Sequence, residues 1–240
     1  MNTTNNTVFI SGGSAGIGLE IAKLFSAKGN KVIINGRNQE RLENALKQLN
    51  NAVGIQGDLS VENDRIRIAE ELKQNHPELN VIINNAGAAY AYSLSERGST
   101  YQYAKDEINT NFTAILHFTE ILLPHLKAKD HAAIVNITSV VALLPATGVP
   151  TYSASKAALH FYTQSLRKSL SETNISVFEV LPPLVNTDFS AFIGGANGIP
   201  PQEVADELLI AFESNQFDVP VGQTKFVYAA FQEAAAKFNK

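Results

Sequence analysis

The sequence predicts an α/β fold, a doubly wound parallel sheet flanked by helices on both faces. Three observations predict it. Short β-branched runs alternate with longer segments of helical period, the runs are apolar on both faces, and a glycine cluster follows the first run directly. Strands of that kind need helices above and below, and the intervening helices are long enough for parallel crossovers.

Taken in order, residues 7–10 read as a strand and residues 17–28 as a helix stopped by Gly29 and Asn30. Strands over 31–35, 52–56 and 81–84 lead into helices over 39–49, 61–75 and 105–128. A strand over 132–137 is followed by a helix over 153–170 and a strand over 175–181. Pro182, Pro183 and the glycine-rich run 194–198 then mark a long loop, before a helix over 202–214, a short strand over 217–221 and a closing helix over 227–238. No Pro/Ser-rich or charge-blocked tether divides the 240 residues, so we read 1–240 as one domain with a substrate loop at about 184–215.

Composition excludes several classes. Nineteen basic against 23 acidic residues give a net charge of −4, with Lys and Arg scattered, which argues against nucleic acid as a partner. Cysteine is absent, which removes disulfides and thiolate metal sites and fits a reducing, cytoplasmic setting. Residues 1–7 lack the order of a secretion signal, and no apolar run of about 18 residues occurs. The reading is a soluble protein with no membrane partner.

The glycine cluster carries the first chemistry. In Ser11-Gly12-Gly13-Ser14-Ala15-Gly16-Ile17-Gly18, Gly12 permits a tight turn, Gly16 lets backbone approach a pyrophosphate, and Gly18 allows close helix contact. Free N–H groups at the helix start attract the anion. The spacing differs from the standard dinucleotide fingerprint, and a merely tight turn is the plain alternative. Its place at the first βα junction favours nucleotide binding in a Rossmann-type sheet. At the end of the second strand, Asn35-Gly36-Arg37-Asn38 offers no carboxylate for a ribose diol, whereas Arg37 suits a 2′-phosphate. NADP (NADPH) is therefore the preferred cofactor, NAD a possible one. An ordinary surface arginine, like Arg41 beside Glu40 and Glu43, is the alternative.

Tyr152 and Lys156 stand four residues apart at the start of a helix, hence on one face. Alone this spacing is common. Ser139, 13 residues earlier, ends the fifth strand, where such sheets present ligand-binding groups. A phenol is a poor base at neutral pH unless a neighbouring cation lowers its pKa, and a desolvated Lys156 together with an oxidised nicotinamide would do so. Ser139 would hydrogen-bond a substrate oxygen, and neither residue needs a metal. Asn111 interrupts an otherwise apolar helical segment, and Asn84-Asn85-Ala86-Gly87 closes the fourth strand; each also reads as ordinary packing or a turn.

In combination these residues resemble the short-chain dehydrogenase/reductase family over essentially the whole chain. Gly12, Gly16 and Gly18 match its glycine loop, Asn84-Asn85-Ala86-Gly87 its sheet-stabilising turn, Asn111 its helix asparagine, and Ser139, Tyr152 and Lys156 its catalytic positions. The resemblance implies that Lys156 grips the nicotinamide ribose, that Asn111 holds a water in a relay to Lys156, and that Asp58 and Leu59 border the adenine. It further places Ser14, Ile17, Asn38, Pro182, Val185 and Thr187 along the cofactor, with Thr187 at the carboxamide. Two departures stand out: Pro182-Pro183 where the family has Pro-Gly, and Ala15 where many NADP-preferring members have Arg. The Pro-Pro-Leu-Val run is similar to the DltE-like oxidoreductase subgroup.

The implied substrate is a small carbonyl compound or alcohol. Tyr90, Tyr92, Tyr101 and Tyr103 in the segment 88–103, with Phe189, Phe192 and Ile193, suggest an aromatic or aliphatic one; ordinary loop packing is the alternative. A dinucleotide-binding sensor or scaffold without catalysis is the competing reading, which the loss of Tyr152 or Lys156 would have favoured. An epimerase or dehydratase would need more than the 58 residues that follow Pro182. The helices over 105–128 and 153–170 carry broad apolar arcs, predicting a homodimer or homotetramer unless the closing helix covers them.

Overall fold

Alternation along each short run sends neighbouring side chains to opposite faces of a strand, and here both faces are covered. The computed structural model describes residues 1–95, 98 and 100–238. Its elements are β1 (Thr7–Ser11), α1 (Gly16–Ala27), β2 (Lys31–Gly36), α2 (Gln39–Leu46), β3 (Ala52–Gln56), α3 (Glu62–Asn75) and β4 (Val81–Asn84). They continue with α4 (Thr100–Ile108), α5 (Ala114–Lys127), β5 (Ala132–Ile137), α6 (Pro150–Ser169), β6 (Ile175–Leu181), α7 (Pro201–Ser214), β7 (Asp218–Pro220) and α8 (Thr224–Phe238).

The strands form one parallel sheet in the order β3-β2-β1-β4-β5-β6-β7. On one face Val8, Ile10, Val32, Ile34, Val81, Ile83, Ala133 and Val135 pack under α1, α2 and α7. On the other Phe9, Ile33, Ile82, Ala132 and Ile134 pack under α3 and α5. The period of two is thus written into both cores. The winding reverses between β1 and β4, so a crevice opens at their carboxyl ends. Among the described residues no helix is long and apolar enough to cross a membrane.

Five elements differ from expectation, among them α8, which begins at Thr224 rather than at residue 227. The helix expected over 105–128 begins at Thr100 and is broken by a π turn, Asn109–Thr113. Asn and Thr are weak helix formers, the Thr113 hydroxyl bonds back to the Asn109 carbonyl at 3.2 Å, and the Asn111 side chain is drawn away to the loop after β4. Helix α6 starts three residues early because Pro150 presets its first turn. Helix α2 stops at Leu46, beyond which turn bonds replace the helical ones. Of the region 184–215, the segment Pro201–Ser214 is α7, whose Val204, Leu208 and Phe212 lie in the core. The loop proper is 184–200, closed by the Val185–Ile199 bridge.

Candidate active site

The crevice is first a construction of missing side chains. Gly12 has φ of +63°, and a Cβ there would lie 3.0 Å from Asn85 Nδ2 and 3.1 Å from the Ala86 Cα. At Gly18 a Cβ would come within 2.5 Å of both Gly12 O and Asn85 Nδ2. The turn after β1 and the turn after β4 therefore touch backbone to backbone. Asn85 Nδ2 donates to the Ser11 and Gly12 carbonyls at 3.0 and 3.2 Å, and the Ser11 hydroxyl accepts the Asn85 and Ala86 amides, each at 3.0 Å. No side chain caps α1, whose first amides, at Gly16, Ile17 and Gly18, stay available to an anion. A Cβ on Gly16 would meet Thr187 Cγ2 at 3.1 Å, and one on Gly36 would meet Ser14 Oγ at 2.8 Å. These glycines let the two turns, Ser14 and Thr187 close upon one another, and the uncapped α1 amides beside them fit the pyrophosphate of a dinucleotide.

The polar rim lies at the end of β2. Arg37 is exposed and pairs with Asp58 at 3.6 Å; Asp58 also accepts the amide and hydroxyl of Ser60 at 2.9 and 2.7 Å. Leu59 packs against the core. Asn38 caps α2, its Oδ1 accepting the Arg41 amide at 2.9 Å. Arg41 is an exposed surface charge, as expected, and pairs with Asp188 at 3.8 Å at the edge of a groove of about 390 Å³ lined by Ser14, Ala15, Gly16 and Thr187.

Beyond β4, side chains take over. Gly87 lies against Asn111, whose Oδ1 accepts the Ala88 amide at 2.8 Å while Nδ2 donates to Ala88 O and Ser155 Oγ, both at 2.9 Å. All of this amide's bonding serves to lock the π turn to the β4 loop and to α6. Ser139 is buried at the end of β5 and caps the short helix Val140–Ala142, whose Val140 amide bonds the Pro182 carbonyl at 2.9 Å. Lys156 is buried, its Nζ donating to Ile137 O at 2.7 Å and lying 5.6 Å from the centre of the Tyr152 ring.

Burial dominates the electrostatics. It pushes the Tyr152 phenol well above its ordinary value, against the Ser139 hydroxyl, which hydrogen-bonds it and lowers it, and with the Glu107 carboxylate, which raises it. In the free protein burial thus raises the phenol, whereas the expected lowering concerns the site with an oxidised nicotinamide beside Lys156. Burial also drags the Lys156 ammonium down to about 8, opposed by Glu179.

The aromatic segments separate into two kinds. Tyr90 stacks on Tyr103 at 4.5 Å, Tyr92 tilts against Tyr103 at 5.2 Å, and the Tyr90 and Tyr92 hydroxyls reach Asp106 and Thr151, each at 2.5 Å. This cluster packs on itself, as the plain alternative had it; residues 96, 97 and 99 of the segment lie outside the described ones. Phe189, by contrast, has its ring 6.2 Å from that of Tyr152, with Phe192 and Ile193 exposed nearby in sequence. Sequence reasoning also missed Glu107, buried where it accepts Thr151 Oγ1 and the Tyr90 amide. No local signal marked it, since Glu107 follows Lys105 and Asp106 in a polar run and is buried only by the tertiary fold.

The sequence profile of the family described as short chain dehydrogenase matches residues 6–197. The chain is 38% identical over 212 residues, 88% of its length and 84% of the relative's, to an uncharacterised oxidoreductase, DltE, of Bacillus subtilis. Among solved structures it is similar to a short-chain dehydrogenase from Sphingobium yanoikuyae in complex with NADPH, at 27% identity, a TM-score of 0.82, and coverage of 90% and 87% of the two chains. A short-chain dehydrogenase/reductase from Burkholderia phymatum in complex with NAD shares the fold at 17% identity and a TM-score of 0.88, over 100% and 97% of the chains.

Proposed function

The chain belongs to the short-chain dehydrogenase family of oxidoreductases, and from that premise we propose that it interconverts a carbonyl compound and an alcohol, with NADP(H) preferred and Tyr152 as general acid and base. The observation that carries this reading is the buried Lys156 ammonium under the Tyr152 ring, beside Ser139, at the carboxyl end of β5. The bound dinucleotide supplies or accepts the hydride.

The chain's own residues supply the rest. Gly12, Gly16 and Gly18 make room for the pyrophosphate against the amides of α1. Ser139 donates to the substrate oxygen, where charge develops during reduction. A phenol held protonated by burial is ready to give its proton to that oxygen. Lys156 stabilises the phenolate left behind, which lets the proton return in the opposite direction. Asn111 acts through position: its side chain fixes the β4 loop and the start of α6. Phe189 forms one apolar wall for the substrate.

Arg37 supports the NADP preference, and Arg41 strengthens it from the groove beside Ser14. The relative with NADPH supports the same choice, while the fold neighbour with NAD keeps the second cofactor in play. A cysteine-free acidic chain suits the cytoplasm. We retain a homodimer or homotetramer on a narrower basis, since Ile115, Phe118, Leu122, Leu159 and Leu170 of the proposed faces lie in the chain's own core. Phe161 is what stays exposed, with Phe231 of α8 already over the adjacent His160. Light scattering giving 26 kDa for the active protein would remove the assembly.

The function is tested by following nicotinamide absorbance with ketones, aldehydes and alcohols and both cofactors. Substrate-dependent turnover, faster with NADPH, is expected. Dinucleotide binding without turnover on any carbonyl or alcohol would favour the sensor instead.

A further inference from the structure

Charged groups enter a protein core only with partners, because an isolated buried charge is costly. Behind the active site lies such a pair that the proton-transfer step does not use. Glu179 on β6 and His160 on α6 are both completely buried. His160 Nδ1 meets Glu179 Oε1 and Oε2 at 2.8 and 3.0 Å, and the Thr138 hydroxyl donates to Oε1 at 2.7 Å. The Phe161 and Phe231 rings stand edge-on to the imidazole at 5.3 and 5.9 Å. The Gln164 amide nitrogen lies 2.9 Å from His160 Nε2. The Glu179 carboxylate is thus enclosed by His160, Thr138 and aromatic rings.

Its counterpart lies one turn away. Lys156 and His160 share a face of α6 at a spacing of four residues, and both are buried. The peptide that joins Ile137 to Thr138 holds the Lys156 ammonium on its carbonyl and the Glu179 carboxylate through the Thr138 hydroxyl. One peptide unit thus separates the anchors of opposite charges, and Ser139 follows immediately.

We propose that Glu179, oriented by His160 and Thr138, is the buried counter-charge of Lys156, a positioning residue that keeps the ammonium protonated and seated beneath Tyr152. This rests on the proton-transfer reading of Tyr152 and Lys156. The electrostatics agree: Glu179 holds the lysine up against the downward pull of burial. The other charged groups nearby are committed elsewhere. Asp218 on β7 is paired with Arg167 of α6 at 2.8 Å and accepts the Tyr228 hydroxyl of α8 at 2.7 Å, and Glu107 of α4 bears on Tyr152. Asn136 of β5 and Thr138 just after it are uncharged.

The test reads Lys156 in the free protein, with no need for turnover. Lysine labelled with 13C at Cε is titrated by NMR, the Lys156 signal being assigned by its absence in Lys156→Arg. Glu179→Gln, which keeps the shape and loses the charge, should lower the lysine midpoint by about one pH unit. His160→Leu should lower it less, since the carboxylate loses its donor, and His160→Gln, which returns an N–H, should restore most of the difference. In the working enzyme the alkaline limb of the pH–rate profile should move down in parallel. A purely structural role would lower the melting temperature without moving the lysine midpoint, and an unmoved midpoint in folded Glu179→Gln overturns the proposal. If that variant does not fold, the pair His160→Leu and His160→Gln decides in the same way. A parent protein without turnover on any substrate would instead refute the reading of the reaction and leave the titration result standing.

Discussion

The two halves of the crevice are built by opposite means. From β1 to β3 it is shaped by what side chains leave out: glycines at 12, 16, 18 and 36, each with a neighbour's atom within 3.1 Å of where a Cβ would be, and amides at a helix start without a cap. From β4 to β6 it is made of buried polar side chains, Asn111, Ser139, Lys156 and Glu179, each held by named partners. A dinucleotide's anionic backbone asks for room and amide dipoles, which tolerate substrate variety. Proton transfer asks for groups whose charge states differ from those in water, which only burial achieves. Loss in the first half should appear as binding, and loss in the second as turnover.

Tyr152→Phe gives the sharpest form of that contrast. Turnover should fall by about 10²- to 10⁴-fold while dinucleotide affinity, read by fluorescence titration, stays within a factor of about two. Comparable loss in both would erase the distinction.

Lys156 should leave a signature in stability. Its ordinary value of 10.5 falls to about 8 on folding, so between those pH values the unfolded chain holds more protons. Stability therefore rises with pH across that window, by about 3 kcal/mol from this group. Above pH 10 the raised phenol of Tyr152 works the other way, because the folded state then keeps a proton that the unfolded state gives up. Urea midpoints at pH 7.5 and 9.5 should rise more in the parent than in Lys156→Met. Equal slopes would mean that the ammonium is hydrated rather than buried.

On the cofactor side, Gly18→Ala should weaken dinucleotide binding and cost about 1–3 kcal/mol of stability, since its methyl would lie 2.5 Å from the Gly12 carbonyl. Any turnover that remains at saturating cofactor should have an unchanged pH profile. Arg37→Glu should have the mildest effect, reversing the NADPH over NADH preference by about tenfold through repulsion of the 2′-phosphate. Equal affinities in the parent would show Arg37 to be tied only to Asp58.

Much of this division was legible in the sequence, and for unequal reasons. Strand positions followed from residues apolar on both faces, so the expected and observed limits of β3, β4, β5 and β6 coincide. The glycines were readable because a βα junction seldom needs three positions without a Cβ unless backbone must come close to a ligand or to a second turn. The polar half was legible at Asn111, Ser139, Tyr152 and Lys156, where position and resemblance spoke together. Glu179 stands as the single charge in the strand ISVFEVL, a signal that was present, but its partner His160 is an unremarkable helix residue until the sheet brings the two together. The π turn depends on bonds from Asn111 to Ala88, 23 residues away, which no local pattern records. The paired apolar arcs misled in part, because a helix lying on a wide sheet buries more of its circumference than an isolated stripe suggests.

That π turn also sets a rotational phase. Each residue advances an α-helix by about 100°, so the wider turn at Asn109–Thr113 shifts the angular setting of α5 relative to α4. With the shift in place, Glu107 at the end of α4 meets Thr151 and the Tyr90 amide while Phe118, Leu122 and Leu126 on α5 meet the sheet. Removal of a single residue, Thr110 for example, would let the segment relax into one continuous α-helix. Because the wide turn holds about one residue more than an α turn, α4 and α5 would then keep nearly their present phase, while the Asn111 side chain would lose its place against the β4 loop. A single-residue deletion inside the regular turns of α5 should by contrast rotate its buried face by about 100°, so deletions should be tolerated better at the π turn than one or two turns beyond it.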